Sequence, residues 1–167
     1  MKTLYVLLLA FCVNFTFAQD VEKKLNSDQY DVINEVFENS KKIEIFHKTI
    51  DTKIWANNLN KEDILLLMAP TCDTILEELI DQLTGIQLAV DNLSVKQIEQ
   101  CKLGEGILID PKYSGTIKKI SEPLIYRNFA LIFVEDNSYQ VLYILKRLEN
   151  NTWDSDCKLE LYRGPSH

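Results

Sequence analysis

Apolar residues in the first half of the chain recur every three or four positions, which is the spacing of one face of an α-helix. This pattern predicts a helix over residues 27–39, with Ser27 as its N-cap, and a longer helix over residues 71–93. Residues 60–70 begin with a capping Asn and two acids and end at a Pro, which predicts a third, nearly fully buried helix. A capping-box pattern predicts one more short helix over residues 94–101.

The pattern changes after residue 102, where Gly and Pro separate short runs of β-branched and aromatic residues. Strands are predicted near residues 106–109, 116–121, 128–134, 139–147 and 153–162. Short polar loops join the last three, so these strands should be antiparallel neighbours. Residues 41–50 also fit a short strand, although a helix fits them nearly as well. The order of elements predicts an α+β fold, with N-terminal helices packed on a C-terminal antiparallel meander sheet of four to five strands.

The central predicted strand is apolar at every step from Phe129 to Val134. A strand with one solvent-exposed face would alternate apolar and polar residues, so both faces of this strand are expected to be buried. Its odd-numbered residues can face the helices, whereas its even-numbered residues need cover on the reverse side. Trp55, the apolar run 64–68 or curvature of the sheet could supply that cover. The alternative is a groove or a partner surface.

Residues 1–18 have the character of a secretory signal, with Lys2 before an apolar stretch and the small Ala18 before polar sequence. Cleavage near Ala18 would leave residues 19–167 as a single α+β domain in the periplasm or outside the cell. An N-terminal anchor is the alternative. The rest of the sequence contains no apolar run of membrane length, so the chain is not expected to span a membrane.

The chain carries 18 Lys and Arg against 25 Asp and Glu, which gives a formal net charge of −7. Nucleic-acid binding depends on neutralising phosphates with basic residues, so no nucleic-acid partner is expected. The acidity favours solubility and, as a more specific interpretation, attraction of a basic partner.

Three cysteines follow the signal segment: Cys72, Cys101 and Cys157. Export permits a disulfide, and the predicted pair is Cys101–Cys157, because both residues flank the expected sheet. Buried free thiols are the alternative. The sequence has no CxxC motif and no Cys/His cluster, so neither a metal site nor a cofactor is expected.

Residues 120–153 resemble a loose group of small exported bacterial proteins of unknown function. The shared pattern is a Ser-x-Pro start, an Ala inside an apolar strand, a Tyr-rich strand ending in basic residues, and a Trp after a polar turn. Those elements are here Ser121, Pro123, Ala130, Tyr143, Lys146, Arg147 and Trp153. The resemblance implies no catalytic residues. The order of elements is also similar to the cone-shaped fold of the nuclear-transport-factor type, which implies nothing about function.

Aromatic and basic residues concentrate on the predicted strands and at their ends. Tyr and Trp combine apolar contact with a polar tip, which favours interfaces, although core packing also explains them. Cations at strand ends either bind an acidic group or protect a sheet edge. The binding residues predicted on this basis are Tyr126, Arg127, Tyr139, Tyr143, Lys146, Arg147 and Trp153.

Catalysis has little support in the sequence. His47 with a carboxylate could serve a hydrolase, but no nucleophile or phosphate-loop signature accompanies it. We therefore predict a non-enzymatic exported protein that binds another macromolecule, expected to be a protein, through its sheet, as an inhibitor or an immunity-type protein. The alternative is a small-ligand carrier whose curved sheet holds a pocket lined by Phe129, Phe133, Tyr139 and Tyr143.

Overall fold

The computed structural model describes residues 24–51, 72–112, 117–137 and 139–163. The described elements, in chain order, are α1 (Ser27–Phe37), β1 (Ile43–Phe46), α2 (Asp73–Val90), β2 (Ile107–Asp110), β3 (Lys119–Ile120), β4 (Leu124–Tyr126), β5 (Phe129–Glu135), β6 (Tyr139–Arg147) and β7 (Trp153–Arg163). The predicted α+β class with a mostly antiparallel sheet is confirmed. The predicted signal segment and the helix predicted over residues 60–70 lie outside the described residues.

The larger sheet is antiparallel. β3 and β4 pair one after the other along one edge of β5, β6 pairs with its other edge, and β7 follows β6. The β5–β6 register places Ile132 opposite Tyr143 and Phe133 opposite Leu142. Because successive residues of a strand point to opposite faces, this register fixes which side chains share a face.

A second sheet of two strands corrects one expectation. The strand predicted near residues 106–109 forms as β2, but it pairs in parallel with β1 and does not join the meander. Long-range pairing of this kind has no local sequence signature. Backbone hydrogen bonds from Phe46 N–H to the Lys118 carbonyl (2.9 Å) and from Ile50 N–H to the Ile120 carbonyl (2.8 Å) join the two sheets.

Both faces of β5 are covered by the chain itself. The apolar stripe of α2 packs over one face, against Phe129 and Leu131. α1 and the β1–β2 sheet pack over the other face, where Ala130, Ile132 and Val134 are fully buried. The cover on the reverse face is therefore internal and not a partner surface. The cover predicted from Trp55 and residues 64–68 lies outside the described residues.

The N-cap of α1 is Asn26 and not the predicted Ser27. The Asn26 side chain accepts a hydrogen bond from Gln29 N–H (2.9 Å), and the Gln29 side chain accepts one from Asn26 N–H (3.1 Å). This reciprocal capping box satisfies two backbone donors at the helix start. One face of the helix then buries Tyr30, Ile33 and Phe37 in the core shared with β5.

The prediction of a short helix over residues 94–101 is wrong. The helical structure in this segment is limited to a 3₁₀ turn at Gln100–Lys102. The backbone of this segment pairs with the residues that follow β1. Thr49 Oγ1 accepts from Lys96 N–H (2.8 Å), and Ile98 N–H donates to the His47 carbonyl (3.0 Å). In a helix capped at Ser94, Ile98 N–H would donate to the Ser94 carbonyl, so this donor takes a partner distant in sequence instead.

The disulfide joins Cys72 to Cys157, so the predicted Cys101–Cys157 pair is wrong. Cys157 points from β7 into the core under α2, and Cys72 immediately precedes α2, which places the two Cα atoms 5.0 Å apart. Cys101 is exposed in the 3₁₀ turn on the α1 side, where the Glu99 N–H donates to the Tyr30 hydroxyl (2.8 Å). Spacing along the chain does not show which side of a sheet a cysteine occupies.

Candidate functional site

The structure brings five of the seven predicted binding residues to one end of the larger sheet. The β4–β5 turn and the β6–β7 turn lie there, because Tyr126 pairs with Phe129, Phe129 with Lys146, and Arg147 with Trp153. We call residues 126–129 and 146–153 the turn end. Its members from the predicted set are Tyr126, Arg127, Lys146, Arg147 and Trp153.

The other two predicted residues lie elsewhere. Tyr139 starts β6 at the opposite end of the sheet, where the Lys118 ammonium lies 4.1 Å from its ring centroid and pairs with Asp136 at 2.8 Å. Tyr143 lies in the middle of β6 and packs against the core under α1. Its burial raises the pKa of its phenol.

The predicted basic rim at the strand end is divided between the two faces of the sheet. Lys146 pairs with Glu78 of α2 at 2.5 Å, and Arg147 pairs with Asp28 of α1 at 2.7 Å. Hydrogen bonds to the Glu78 carboxylate, first from Lys146 and then from Asn128, lower its pKa. Lys146 and Arg147 point to opposite faces of the sheet, so one ties α2 to its face and the other ties α1 to the reverse face. Both cations are therefore engaged within the fold.

An open groove of about 400 Å³ lies between α1 and the β6–β7 turn. It is lined by Asp31, Asn34, Glu35, Glu38, Asn151, Thr152 and Trp153. Its three acids are Asp31 and Glu35 of α1 and Glu38 at the C-cap of that helix; they follow one another at intervals of four and three residues on one side, so their carboxylates form a stripe. In the described part of the chain no salt bridge reaches Asp31 or Glu38. The groove therefore presents negative charge next to an aromatic ring.

The walls of the groove are held by contacts within the fold. Asn34 donates to the Lys102 carbonyl (3.2 Å) and accepts from Gly104 N–H (2.7 Å). Trp153 is buried, with the Arg147 guanidinium 4.4 Å from its ring centroid. Asn151 adopts a left-handed backbone with φ of 65°, a conformation that Asn tolerates better than most residues. The groove is therefore formed before any ligand arrives.

The pocket suggested for a small ligand does not form from the four residues named for it. Phe129 and Phe133 point to the α2 face, whereas Tyr139 and Tyr143 point to the α1 face. Both Phe side chains are buried. One sheet separates the two pairs, so they cannot line a common cavity.

His47, the residue considered for a hydrolase, lies after β1 beside the Phe46 ring, with centroids 4.3 Å apart. Its Nδ1 is buried and has no hydrogen-bond partner among the described residues. Across the ranges that the structure describes, no group of three His, Cys, Asp or Glu residues is placed to hold a metal ion.

The acids of α1 were not among the predicted binding residues. A signal for them exists in the sequence, because Asp28, Asp31, Glu35 and Glu38 repeat at helical spacing beside the apolar stripe. That pattern is typical of a solvated helix face. This acidic face becomes one wall of a groove only because the β6–β7 turn packs across from it. That turn lies more than a hundred residues further along the chain.

The fold and the groove together define an α+β protein with a preformed acidic groove at one end of its larger sheet. Comparison with protein-family models, with curated proteins and with solved structures finds no match for this chain. None of the helices in the described ranges is long and apolar enough to cross a membrane.

Proposed function

We propose that this chain is an exported, non-enzymatic protein that binds another protein through the turn end, as an inhibitor or an immunity-type protein does. The groove between α1 and the β6–β7 turn takes a basic side chain of the partner. One observation carries the proposal: three acids of α1 and its C-cap line a preformed groove of about 400 Å³ beside Trp153.

The charge of the groove selects the partner. Arg147 neutralises Asp28, which precedes the stripe on α1, but no ion pair within the described residues neutralises Asp31 or Glu38. A Lys or Arg side chain entering the groove gains charge-assisted hydrogen bonds to these carboxylates. The net charge of −7 also raises the rate at which a basic partner is encountered, because long-range attraction steers association.

The location of this surface differs from the sequence-based expectation of binding through the sheet. Both faces of β5 are covered by helices and by the β1–β2 sheet, so the need for an external cover no longer argues for a partner. The turn end also presents the exposed Arg127, and Arg is among the residues that recur at protein interfaces. Its two turns are also fixed to the helices, which lowers the ordering cost of binding.

Fluorescence of Trp153 tests the proposal. The chain has two Trp residues, so a Trp55→Phe variant reports on Trp153 alone. Titration with a short Arg-Gly repeat peptide should change the emission in a saturable, salt-sensitive way, and a Glu-Gly repeat peptide should not.

A matched pair of variants locates the site. Replacing Asp31 by Asn and Glu38 by Gln together should weaken peptide binding by about threefold or more, because two ion pairs are lost. Asp91→Asn removes an exposed acid from the end of α2 and should leave the affinity unchanged. Equal binding of the acidic peptide, or equal losses in both variants, would refute the proposal.

A further inference from the structure

Arg127 occupies a backbone conformation that arginine seldom adopts. It lies in the turn between β4 and β5, with a φ of 54°. Gly reaches this left-handed region freely, whereas a residue with a side chain is strained there. Such strain persists where the surroundings impose it and concentrates at functional sites.

The Arg127 side chain makes few contacts within the described part of the fold. Its side chain is exposed, and no salt bridge reaches it from any residue that the structure describes. Its guanidinium lies 5.5 Å from the centroid of the Tyr126 ring, a distant contact with a solvent-exposed cation. Arg147, by contrast, pairs with Asp28 and lies over the Trp153 ring.

The residues on either side of Arg127 are firmly held. Tyr126 fits against Gly85 of α2 so closely that a Cβ at Gly85 would overlap its phenol ring. The Asn128 amide donates to Glu78, and its oxygen accepts from Gln82 (3.1 Å). The Asn128 carbonyl also accepts from Arg147 N–H (2.7 Å). Arg127 is therefore presented to solvent from a rigid turn.

We propose that Arg127 is a second contact residue of the turn end and binds a carboxylate of the protein partner. The inference rests on the proposed function and deepens it. The partner then offers a basic side chain to the groove and an acidic side chain to Arg127. A guanidinium binds a carboxylate through two parallel hydrogen bonds, and a turn that is already ordered loses little entropy on binding. A polyanion such as nucleic acid is disfavoured by the net charge of −7.

Stability provides the first test. Arg127→Gly should shift the midpoint of urea unfolding upward by a few tenths molar, because the strain disappears. Asn151→Gly, at the other left-handed residue, should shift it less, because Asn already tolerates that conformation. A midpoint for Arg127→Gly below that of the natural chain would show that the fold itself requires Arg127, and would overturn the inference.

Peptide binding provides the second test. One probe is the Arg-Gly repeat peptide, and the other carries a Glu tail on Gly/Ser linkers of three lengths. A control of identical composition interleaves Glu with Arg. The tailed peptide should bind the natural chain about threefold or more tightly than the interleaved control, at one linker length at least. Arg127→Gly should abolish that advantage without changing the affinity for the untailed peptide.

The outcomes separate the two proposals. If the tailed peptide gains nothing, or its gain survives Arg127→Gly, the role of Arg127 is refuted and the groove proposal stands. If a gain appears only when phosphoserine replaces Glu in the tail, the carboxylate partner is wrong. If the Arg-Gly peptide itself fails to bind, the proposed function fails and this inference fails with it.

Discussion

Removing the Cys72–Cys157 disulfide should destabilise the protein more than any conservative surface change. The bond closes a loop with a sequence separation of 85 residues. Inserting that length in the loop-entropy relation gives about 15 cal/mol/K, or about 4.5 kcal/mol at 25 °C. Domains of this size are stable by about 5–15 kcal/mol in total, so the loss would be a large share. The corresponding fall in melting temperature is about 10–15 °C.

The assay compares urea unfolding of the natural chain, a Cys72→Ala/Cys157→Ala variant, and a Cys101→Ser variant. Cys101 is exposed, so its replacement should stay within about 0.5 kcal/mol of the natural chain. Complete reduction, carried out under conditions that unfold the chain, should leave Cys101→Ser as destabilised as the double variant. Both disulfide sulfurs belong to buried residues, which should slow reduction in the folded state.

Two results would refute this reasoning. The first is a peptide containing Cys101 linked to Cys157 in a non-reducing digest analysed by mass spectrometry. The second is a destabilisation by Cys101→Ser as large as that of the double variant. Either result would mean that the 3₁₀ turn and not the start of α2 lies against β7.

Three further predictions concern polar and steric contacts between elements. Glu122→Gln should cost about 2–4 kcal/mol in urea unfolding, because this buried carboxylate binds the Lys96 ammonium at 2.5 Å, and exposed Glu149→Gln should cost little. The hydrogen bond from Lys146 holds the pKa of Glu78 below its ordinary value of 4.5, so the ionised carboxylate stabilises the fold above pH 4.5 and this contribution is lost as the pH falls below it. Glu78→Gln should therefore reduce the difference in unfolding free energy between neutral and acidic solution. An unchanged difference would contradict this prediction. Gly85→Ala should lower the free energy of unfolding by about 1–3 kcal/mol, because the added Cβ overlaps the Tyr126 ring. A Tyr126→Leu background should remove this loss. Thr84→Ala, at an exposed position of the same helix, should leave the free energy of unfolding unchanged.

Local patterns predicted the parts of the fold that local interactions determine. The apolar stripe of α2 and the alternation of β6 and β7 are visible within windows of about ten to fifteen residues, and these elements form nearly as expected. Residues 94–101 show where such reasoning fails. Their capping-box pattern favours a helix, but the Lys96 carbonyl accepts from Thr49 N–H (2.9 Å) and Ile98 N–H donates to the His47 carbonyl (3.0 Å). Partners so distant in sequence leave no periodic signal.

The candidate site was predictable only in part for the same reason. Arg127, Arg147 and Trp153 were predicted as binding residues because turn and strand-end residues of unusual type are visible in the sequence. The acids of α1 have a visible spacing, but their role depends on a turn of β-structure that packs across from them. The disulfide partner of Cys157 depends on which side of the sheet each cysteine occupies. Knowing which face of the sheet a side chain occupies requires the strand register, and the register is fixed only when the sheet is assembled.

The turn end separates the residues that hold the fold from those proposed to bind. Lys146 and Arg147 each tie one helix to the sheet, and the carboxylates they engage, Glu78 and Asp28, are thereby withdrawn from the surface charge. The acids further along α1 line the groove because the stripe extends beyond the reach of Arg147. If the two cations were instead free for a ligand, each helix would lose one ion pair that ties it to the sheet at this end. Engagement of these cations within the fold therefore adds to the packing that keeps the neighbouring acidic groove preformed, and a rigid groove binds a basic side chain with less loss of entropy than a mobile one.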